Sequence, residues 1–280
     1  MQLLNVLPIG VVILLVTSIV VFNLKKRVET YADFMEAWGS SLYSLLPSDF
    51  NVYLINLATK KDRLDNFIDA YKRTDLFSVK SFERVNAING RELDLTRYLS
   101  KEGLRDIHMI EQRGYRIKHN QLTRGAVGCY LSHMNIYKMI RDRPEPFGIV
   151  FEDDIKFGKR DVYRRLRLAM ARIPDDWDIL LLGCVCHVCK SHVDYKELEH
   201  FFLLHAYVVR KSGAVKILNE LEFMPIRQQI DSELSVMAIN KKIKIYCLSQ
   251  SLVWQDPKIN KTTIQTPMKM LNGVNPYSLD

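Results

Sequence analysis

The chain has 280 residues, 48% of them hydrophobic and 26% charged, with a formal net charge of +8. Those are ordinary globular values, enough for one large domain or two small ones around a sizeable core. Three of the positive charges are adjacent, Lys25, Lys26 and Arg27. The rest are spread without an aromatic-interleaved basic patch, which argues against nucleic acid as a partner.

The first 24 residues carry no charged side chain, and Leu3 to Leu24 is a 22-residue apolar run. That length spans a bilayer. No basic residue precedes the run and no Ala-x-Ala site ends it, so it reads as a retained transmembrane anchor over 1–24, not a cleaved leader. The Lys-Lys-Arg cluster follows it, so the positive-inside rule places the globular part in the cytosol, with a lumenal orientation as the alternative. Residues 25–50 read as a stem. The five cysteines, three of them between Cys184 and Cys189, do not form a disulfide framework by count and spacing. Free thiols are the expectation there, and the crowding does not suit a zinc site.

Asn51 to Leu57 reads as a strand. Leu64, Phe67, Ile68 and Tyr71 then form one apolar helical stripe. Phe82 to Ile88 is the next strand, closed by the turn pair Asn89-Gly90. Residues 92–121 show no clear pattern and read as loop-rich. Thr123 can cap a helix running to about Arg141, which Pro144 and Pro146 end. Gly148 to Phe151 is a strand, Asp161 to Ile173 a helix, and Asp178 to Gly183 a fully buried strand. Phe201 to Val209 reads as one strand, Ser212 to Leu221 and Asp231 to Lys241 as helices, and Ile243 to Leu248 as a strand. Residues 257–280, with Pro257, Pro267 and Pro276, read as an irregular tail. Alternating strands and helices predict an α/β fold with a mostly parallel sheet, whose ligands bind beyond the carboxyl ends of the strands.

At one such end stand Glu152, Asp153 and Asp154. Clustered carboxylates repel one another, so a positive partner is expected. Hard divalent cations take carboxylate oxygens and leave positions for phosphates. A solvated acidic turn is the plainer reading. On the helix after Thr123, Gly125, Gly128, Cys129 and Ser132 make a stripe of small side chains, which lets another backbone or a ligand approach closely. Ser132 and His133 are candidates to reach a nucleotide or the acidic tip, and Arg124 to hold phosphate. The loop from Asn56 to Arg63 occupies the place where nucleotide-binding α/β domains meet base and ribose. Asp231 is a good helix N-cap; with Glu233 beside it, it is also a candidate general base.

Taken in order, these stretches resemble glycosyltransferase family 25, the lipopolysaccharide and procollagen galactosyltransferase family. The resemblance runs from about residue 51 to 256. It is carried by "VYLINLATKKDRLDNF", "FERVNAINGREL", "LTRGAVGCYLSHMNIYKMI" with "GIVFEDDI", and then "DDWDILLLG", "HAYVVRKSGAVKIL", "IDSEL" and "LVWQD". It implies a GT-A-like nucleotide-sugar-binding fold and a catalytic domain over 51–256. It implies transfer of a sugar, usually galactose, from a UDP donor with Mn²⁺ or Mg²⁺ to a glycan, lipid-linked or protein acceptor, with inversion. By position, Asp153 and Asp154 match the metal-binding motif. Glu152, with Asn56, Arg63, Arg124, Ser132 and His133, belongs to the donor site; Asp231, with Glu233 as runner-up, is the base. A catalytically silent member acting as an interaction or adhesion protein is the alternative. A nucleotidyltransferase is disfavoured, because Ala58-Thr59-Lys60-Lys61 is no Gly-rich phosphate loop.

Overall fold

The computed structural model describes residues 46–256 and 266–272. The anchor over 1–24 and nearly all of the stem lie outside the described residues. Among those described, no helix is long and apolar enough to cross a membrane.

The first unit is a strand–helix–strand crossover. Strand β1 (Phe50–Asn56) leads into helix α1 (Lys61–Lys72), a short helix α2 (Asp75–Val79) and strand β2 (Phe82–Asn86), which lies parallel to β1. Helix α3 (Lys101–Arg113) and helix α4 (Arg124–Asp142) then carry the chain to β3 (Phe147–Glu152), parallel to β1 on its other side. Three carboxyl ends therefore meet at one edge. The remaining elements are β4 (Ile155–Phe157), α5 (Val162–Met170), β5 (Ile179–Leu181), β6 (Val185–Ser191), β7 (Tyr195–Phe202), β8 (Ala206–Arg210), α6 (Lys211–Leu221), α7 (Ile230–Ile239), β9 (Ile245–Leu248) and β10 (Val253–Gln255). Eight strands form one sheet in the order β2-β1-β3-β8-β5-β9-β7-β6, and β4 pairs with β10 apart from it.

The α/β class holds, while the sheet is mixed: β2-β1-β3 run parallel, as do β5 and β9, and the other pairs are antiparallel. Strand β8 runs antiparallel to β3 and β5, and β7 antiparallel to β6 and β9. Helical crossovers impose parallel order on β2-β1-β3, whereas hairpin-linked strands such as β6 and β7 must run antiparallel.

Both faces of the central strands are covered. Tyr53, Ile55, Val150, Tyr207 and Val209 face a core built with α4, α6 and α7. Phe50, Val52, Leu54, Ile149, Phe151 and Val208 face the core with Phe67, Tyr71, Leu166 and Trp177. Alternation along each strand sends neighbours to opposite cores, so these strands read as continuous apolar runs.

Four expectations change. The stretch 92–121 contains α3, capped by Ser100 accepting from the Gly103 amide (3.2 Å) and closed by Gly114 in the left-handed region (φ 76°). The run expected as one strand from Phe201 to Val209 is broken between β7 and β8, where Leu203 takes φ 74°. Of the crowded cysteines, Cys186 and Cys189 lie on β6 and form a disulfide instead of standing as free thiols, while Cys184, just before the strand, stays free. Residues three apart on a regular strand point to opposite faces, and the register shifts around Val188 remove that conflict. Finally, part of the expected irregular tail is fixed: the Arg116 amide donates to the Pro267 carbonyl (2.8 Å), and the Lys269 amide to the Arg116 carbonyl (2.8 Å).

Candidate active site

A cavity of about 430 Å³ opens beyond the ends of β1, β2 and β3. That is within the usual range for small-molecule sites. One wall is the start of α4. Thr123 Oγ1 accepts from the Ala126 amide (3.1 Å), which fixes where the helix begins. The small-residue stripe then does both things its composition allows. Gly125, Cys129 and Ser132 line the cavity. Gly128 packs against backbone: a Cβ there would lie 2.4 Å from the Ile88 carbonyl oxygen and 2.6 Å from the Gly90 nitrogen. Ser132 Oγ accepts from the Ile88 amide (2.8 Å) and donates to the Gly128 carbonyl (2.7 Å). Ser132 is thus the rivet that holds the loop after β2 against α4.

The floor is the acidic tip. Asp153 is buried and fully engaged: Asn56 Nδ2 donates to Oδ2 (2.6 Å) and Arg63 Nη1 donates to Oδ1 (3.1 Å). The Asp153–Arg63 pair is nearly dry, with 10% and 8% of the side chains exposed. Asn56 is the hub of this corner, since its Oδ1 accepts from Arg84 (2.9 Å) and its amide also donates to the Lys60 carbonyl (3.1 Å). Burial raises the Asp153 carboxyl above its ordinary value, against the opposing pull of Asn56 and Arg63. Asp154 has less help. Gln255 Nε2 donates to Oδ2 (3.1 Å), while the buried Oδ1 has no hydrogen-bond partner among the described residues. Burial, then the neighbouring charges of Glu152 and Asp153, push its carboxyl up to about 7.

Glu152 is held differently. Its Oε1 lies 3.1 Å from His133 Nε2 and accepts from the Cys129 thiol (3.7 Å). His133 is fully buried, and its Nδ1 lies 2.9 Å from the Tyr207 hydroxyl. Burial disfavours charge on Glu152, yet the hydrogen bond from His133 and the nearby His133 and His205 outweigh it, and the carboxyl sits below its ordinary value. Burial, followed by the charge of Glu152, pushes the Cys129 thiol well up.

The fold therefore gathers Asn56, Arg63, Ser132, His133, Glu152, Asp153 and Asp154 at one corner. Asp231 is close enough for its carboxyl to feel Glu152 and His133. It stands at the start of α7, accepting from the backbone amides of Leu203 (3.3 Å) and Ser232 (2.8 Å), and burial raises its carboxyl despite them. Glu233 does not join it. Two residues along a helix is a rotation of about 200°, and Glu233 is buried on the far side, accepting from Arg227 (3.3 Å). Arg124 stays outside as well, pairing with Glu111 at 2.9 Å.

Of the other residues at this corner, Lys60 lies in the loop from Asn56 to Arg63 and reads from sequence as a solvated helix start, while Arg91 and Gln255 were not singled out by sequence pattern. Lys60 and Arg91 line the cavity with Arg63 and supply positive charge at its rim. Gln255 reaches Asp154 from β10. The only sequence signal for Arg91 and Gln255 is their place inside "INGREL" and "LVWQD".

An orphaned carboxylate oxygen in an otherwise engaged acidic corner is what a hard cation requires, because oxygen donors and residual negative charge are both present. The residues fit Mn²⁺ or Mg²⁺.

A sequence profile described as glycosyltransferase family 25 (LPS biosynthesis protein) matches residues 50–233. The chain belongs to glycosyltransferase family 25. The match begins at the first residue of β1 and takes in the acidic tip and the start of α7. Among curated relatives, procollagen galactosyltransferase 1-A of Xenopus laevis is 35% identical over 185 residues, covering 60% of this chain and 28% of the relative. Procollagen galactosyltransferase 2 of Homo sapiens is 25% identical over 184 residues, 61% of this chain and 28% of that protein. A protein of Bos taurus named probable inactive glycosyltransferase 25 family member 3 is 28% identical over 200 residues, 66% of this chain and 31% of its own length. The chain spans less than a third of these relatives.

Proposed function

We propose that the chain is a hexosyltransferase that moves a sugar, galactose in the first instance, from a UDP-sugar to a hydroxyl of a glycan, lipid-linked or protein acceptor, with inversion. The observation that carries this reading is the buried, unpartnered Oδ1 of Asp154, a residue that lines the cavity of about 430 Å³ together with Lys60, Arg63 and Arg91. Asp154 would hold Mn²⁺ or Mg²⁺, with Asp153 beside it. A divalent cation bound there supplies Lewis-acid neutralisation of the diphosphate.

The chain's own residues do the rest. Arg63 and Asn56 lock Asp153, so the tip has a fixed shape before any donor arrives. Lys60 and Arg91 attract the diphosphate electrostatically. Gly128 and Ser132 hold the loop after β2 close enough to form the cavity wall. Asp231, with a carboxyl raised by burial and within electrostatic reach of Glu152 and His133, would accept the acceptor's proton. Glu233, committed to Arg227, is unsuited to that task. We further propose that residues 1–24 tether the domain to a membrane, with the globular part in the cytosol.

The test is a panel of UDP-sugars incubated with the full chain in Mn²⁺ or EDTA, following release of UDP, beside Asp154→Asn. Release that depends on one sugar and on Mn²⁺, and is lost in Asp154→Asn, supports the assignment. No release with any sugar, together with retained folding, favours the silent, interaction-type reading instead.

A further inference from the structure

Cys129, His133 and Glu152 form a second constellation beside Asp154. Their donor atoms Sγ, Nε2 and a carboxylate oxygen all lie within 4.8 Å of one another. We propose that these three side chains form a separate site for a thiophilic divalent cation of the Zn²⁺ class.

Four features point to it. First, Cys129 and His133 are four residues apart on α4, so they stand one turn apart on one helix face, a spacing that suits two ligands of one zinc ion. Glu152 arrives from the end of β3 as the third ligand. Second, the two spacings to Glu152 are close to those of tetrahedral zinc. Bond lengths of about 2.0–2.3 Å put neighbouring ligands roughly 3.3–3.7 Å apart. Glu152 Oε1 is 3.1 Å from His133 Nε2 and 3.7 Å from Cys129 Sγ. Third, the imidazole is already oriented. Its other nitrogen lies 2.9 Å from the Tyr207 hydroxyl, the kind of outer partner that fixes a liganding histidine. Fourth, three protein ligands leave one coordination position, and Cys129 and Glu152 both face the cavity, so the ion has a way in and room for a fourth ligand.

The donor set is what separates this site from the tip. Thiolate and imidazole favour zinc, whereas Asp153 and Asp154 offer only oxygen, the preference of Mg²⁺ and Mn²⁺. On binding, the Cys129 S–H bond breaks and its proton leaves to solvent. As Nε2 takes the ion it gives up the proton it shares with Glu152, and the ring, neutral throughout, carries its proton on Nδ1, toward the Tyr207 hydroxyl oxygen. One proton is released per ion. The site is independent of the sugar-transfer reading, since it concerns cation affinity of the chain alone.

Co²⁺ is the direct probe. The full chain, without added reductant so that Cys186–Cys189 stays paired, is titrated with Co²⁺ and followed by absorbance. One equivalent is expected to bring a thiolate-to-cobalt charge-transfer band and visible bands of a tetrahedral ion, both abolished by one equivalent of Zn²⁺. The thiolate band should vanish in Cys129→Ser and persist in Cys247→Ser and in Asp154→Asn; Glu152→Gln should weaken binding at least tenfold. Absence of the band, or its persistence in Cys129→Ser, overturns the proposal. If Cys129→Ser does not fold, alkylation of the unsubstituted chain followed by peptide mass analysis decides. Zn²⁺ should slow modification of Cys129 specifically, and an unchanged Cys129 rate refutes the site.

Discussion

Replacing Arg63 by alanine probes the charge balance at the acidic tip. Arg63 donates to Asp153 Oδ1 at 3.1 Å, and both side chains are about nine-tenths buried. The substitution leaves Asp153 with the Asn56 amide as its remaining side-chain donor, beside the charges of Glu152 and Asp154. Removing one partner of a buried pair costs about 3–5 kcal/mol. At about 2–4 °C per kcal/mol for a domain of this size, the melting temperature should fall by roughly 6–20 °C. The pH dependence gives a second handle. Asp153 already titrates above its ordinary value in the parent, and in the variant, buried without its guanidinium, it titrates higher still. Such a group binds more protons folded than unfolded, and the stability it removes grows as pH rises through that window. The gap between parent and variant should therefore be widest near pH 8 and narrow toward about pH 4, close to the titration of the unfolded carboxyl, below which neither folded form carries the penalty. Thermal melts in EDTA from pH 4.5 to 8 measure this. A gap under about 1 kcal/mol, or one that does not change with pH, would show that the pair does not carry the tip.

Three further outcomes follow from the same corner. Asp154→Asn should make the cation-free chain more stable than the parent at pH 8 and equal to it near pH 4, because a carboxyl raised to about 7 is a liability above that value and none below its unfolded one; melts in EDTA would show it. Gly128→Ala gains about 1 kcal/mol of helix propensity, but its Cβ meets the Ile88 carbonyl at 2.4 Å, so overpacking of about 1–3 kcal/mol and a displaced cavity wall should lower stability and raise the donor KM. Asp231→Asn should cut the rate of transfer by about 10²–10⁴ while UDP binding stays within twofold, measured by product formation and calorimetry.

The parts of this fold that were legible had strong periodicity and local caps. The Phe67–Tyr71 stripe announced α1, Thr123 announced α4, and the apolar run before Glu152 announced β3. The small stripe on α4 was legible as a place of close approach, and the structure shows that it serves a loop and a cavity together. The rest failed for identifiable reasons. In α3 the apolar positions Leu104, Ile107 and Ile110 are diluted by charge, and only the Ser100 cap and Gly114 mark its ends. The run Phe201 to Val209 has no turn residue at its break, since Leu203 takes a backbone conformation its type rarely adopts. The Cys186–Cys189 bond depends on a bulge that composition does not signal. The acidic tip is the instructive case. Self-repulsion called for a positive partner, and a cation was the expectation. The structure supplies Arg63 to one carboxylate, Asp153, and leaves the other, Asp154, with an unpartnered oxygen. Choosing between guanidinium and metal required knowing which oxygen faced which, and only the folded geometry contains that.

Titration of UDP into the full chain, once with Mn²⁺, once with EDTA, and once with Mn²⁺ and Asp154→Asn, bears most directly on the role of the tip. Saturable binding in the first case, weakened at least tenfold in the other two, is what a cation bridging Asp154 to the diphosphate predicts. Equal affinity in all three would mean that the nucleotide, if it binds, is held without that bridge, and the reading of residues 152–154 as the donor's anchor would be wrong.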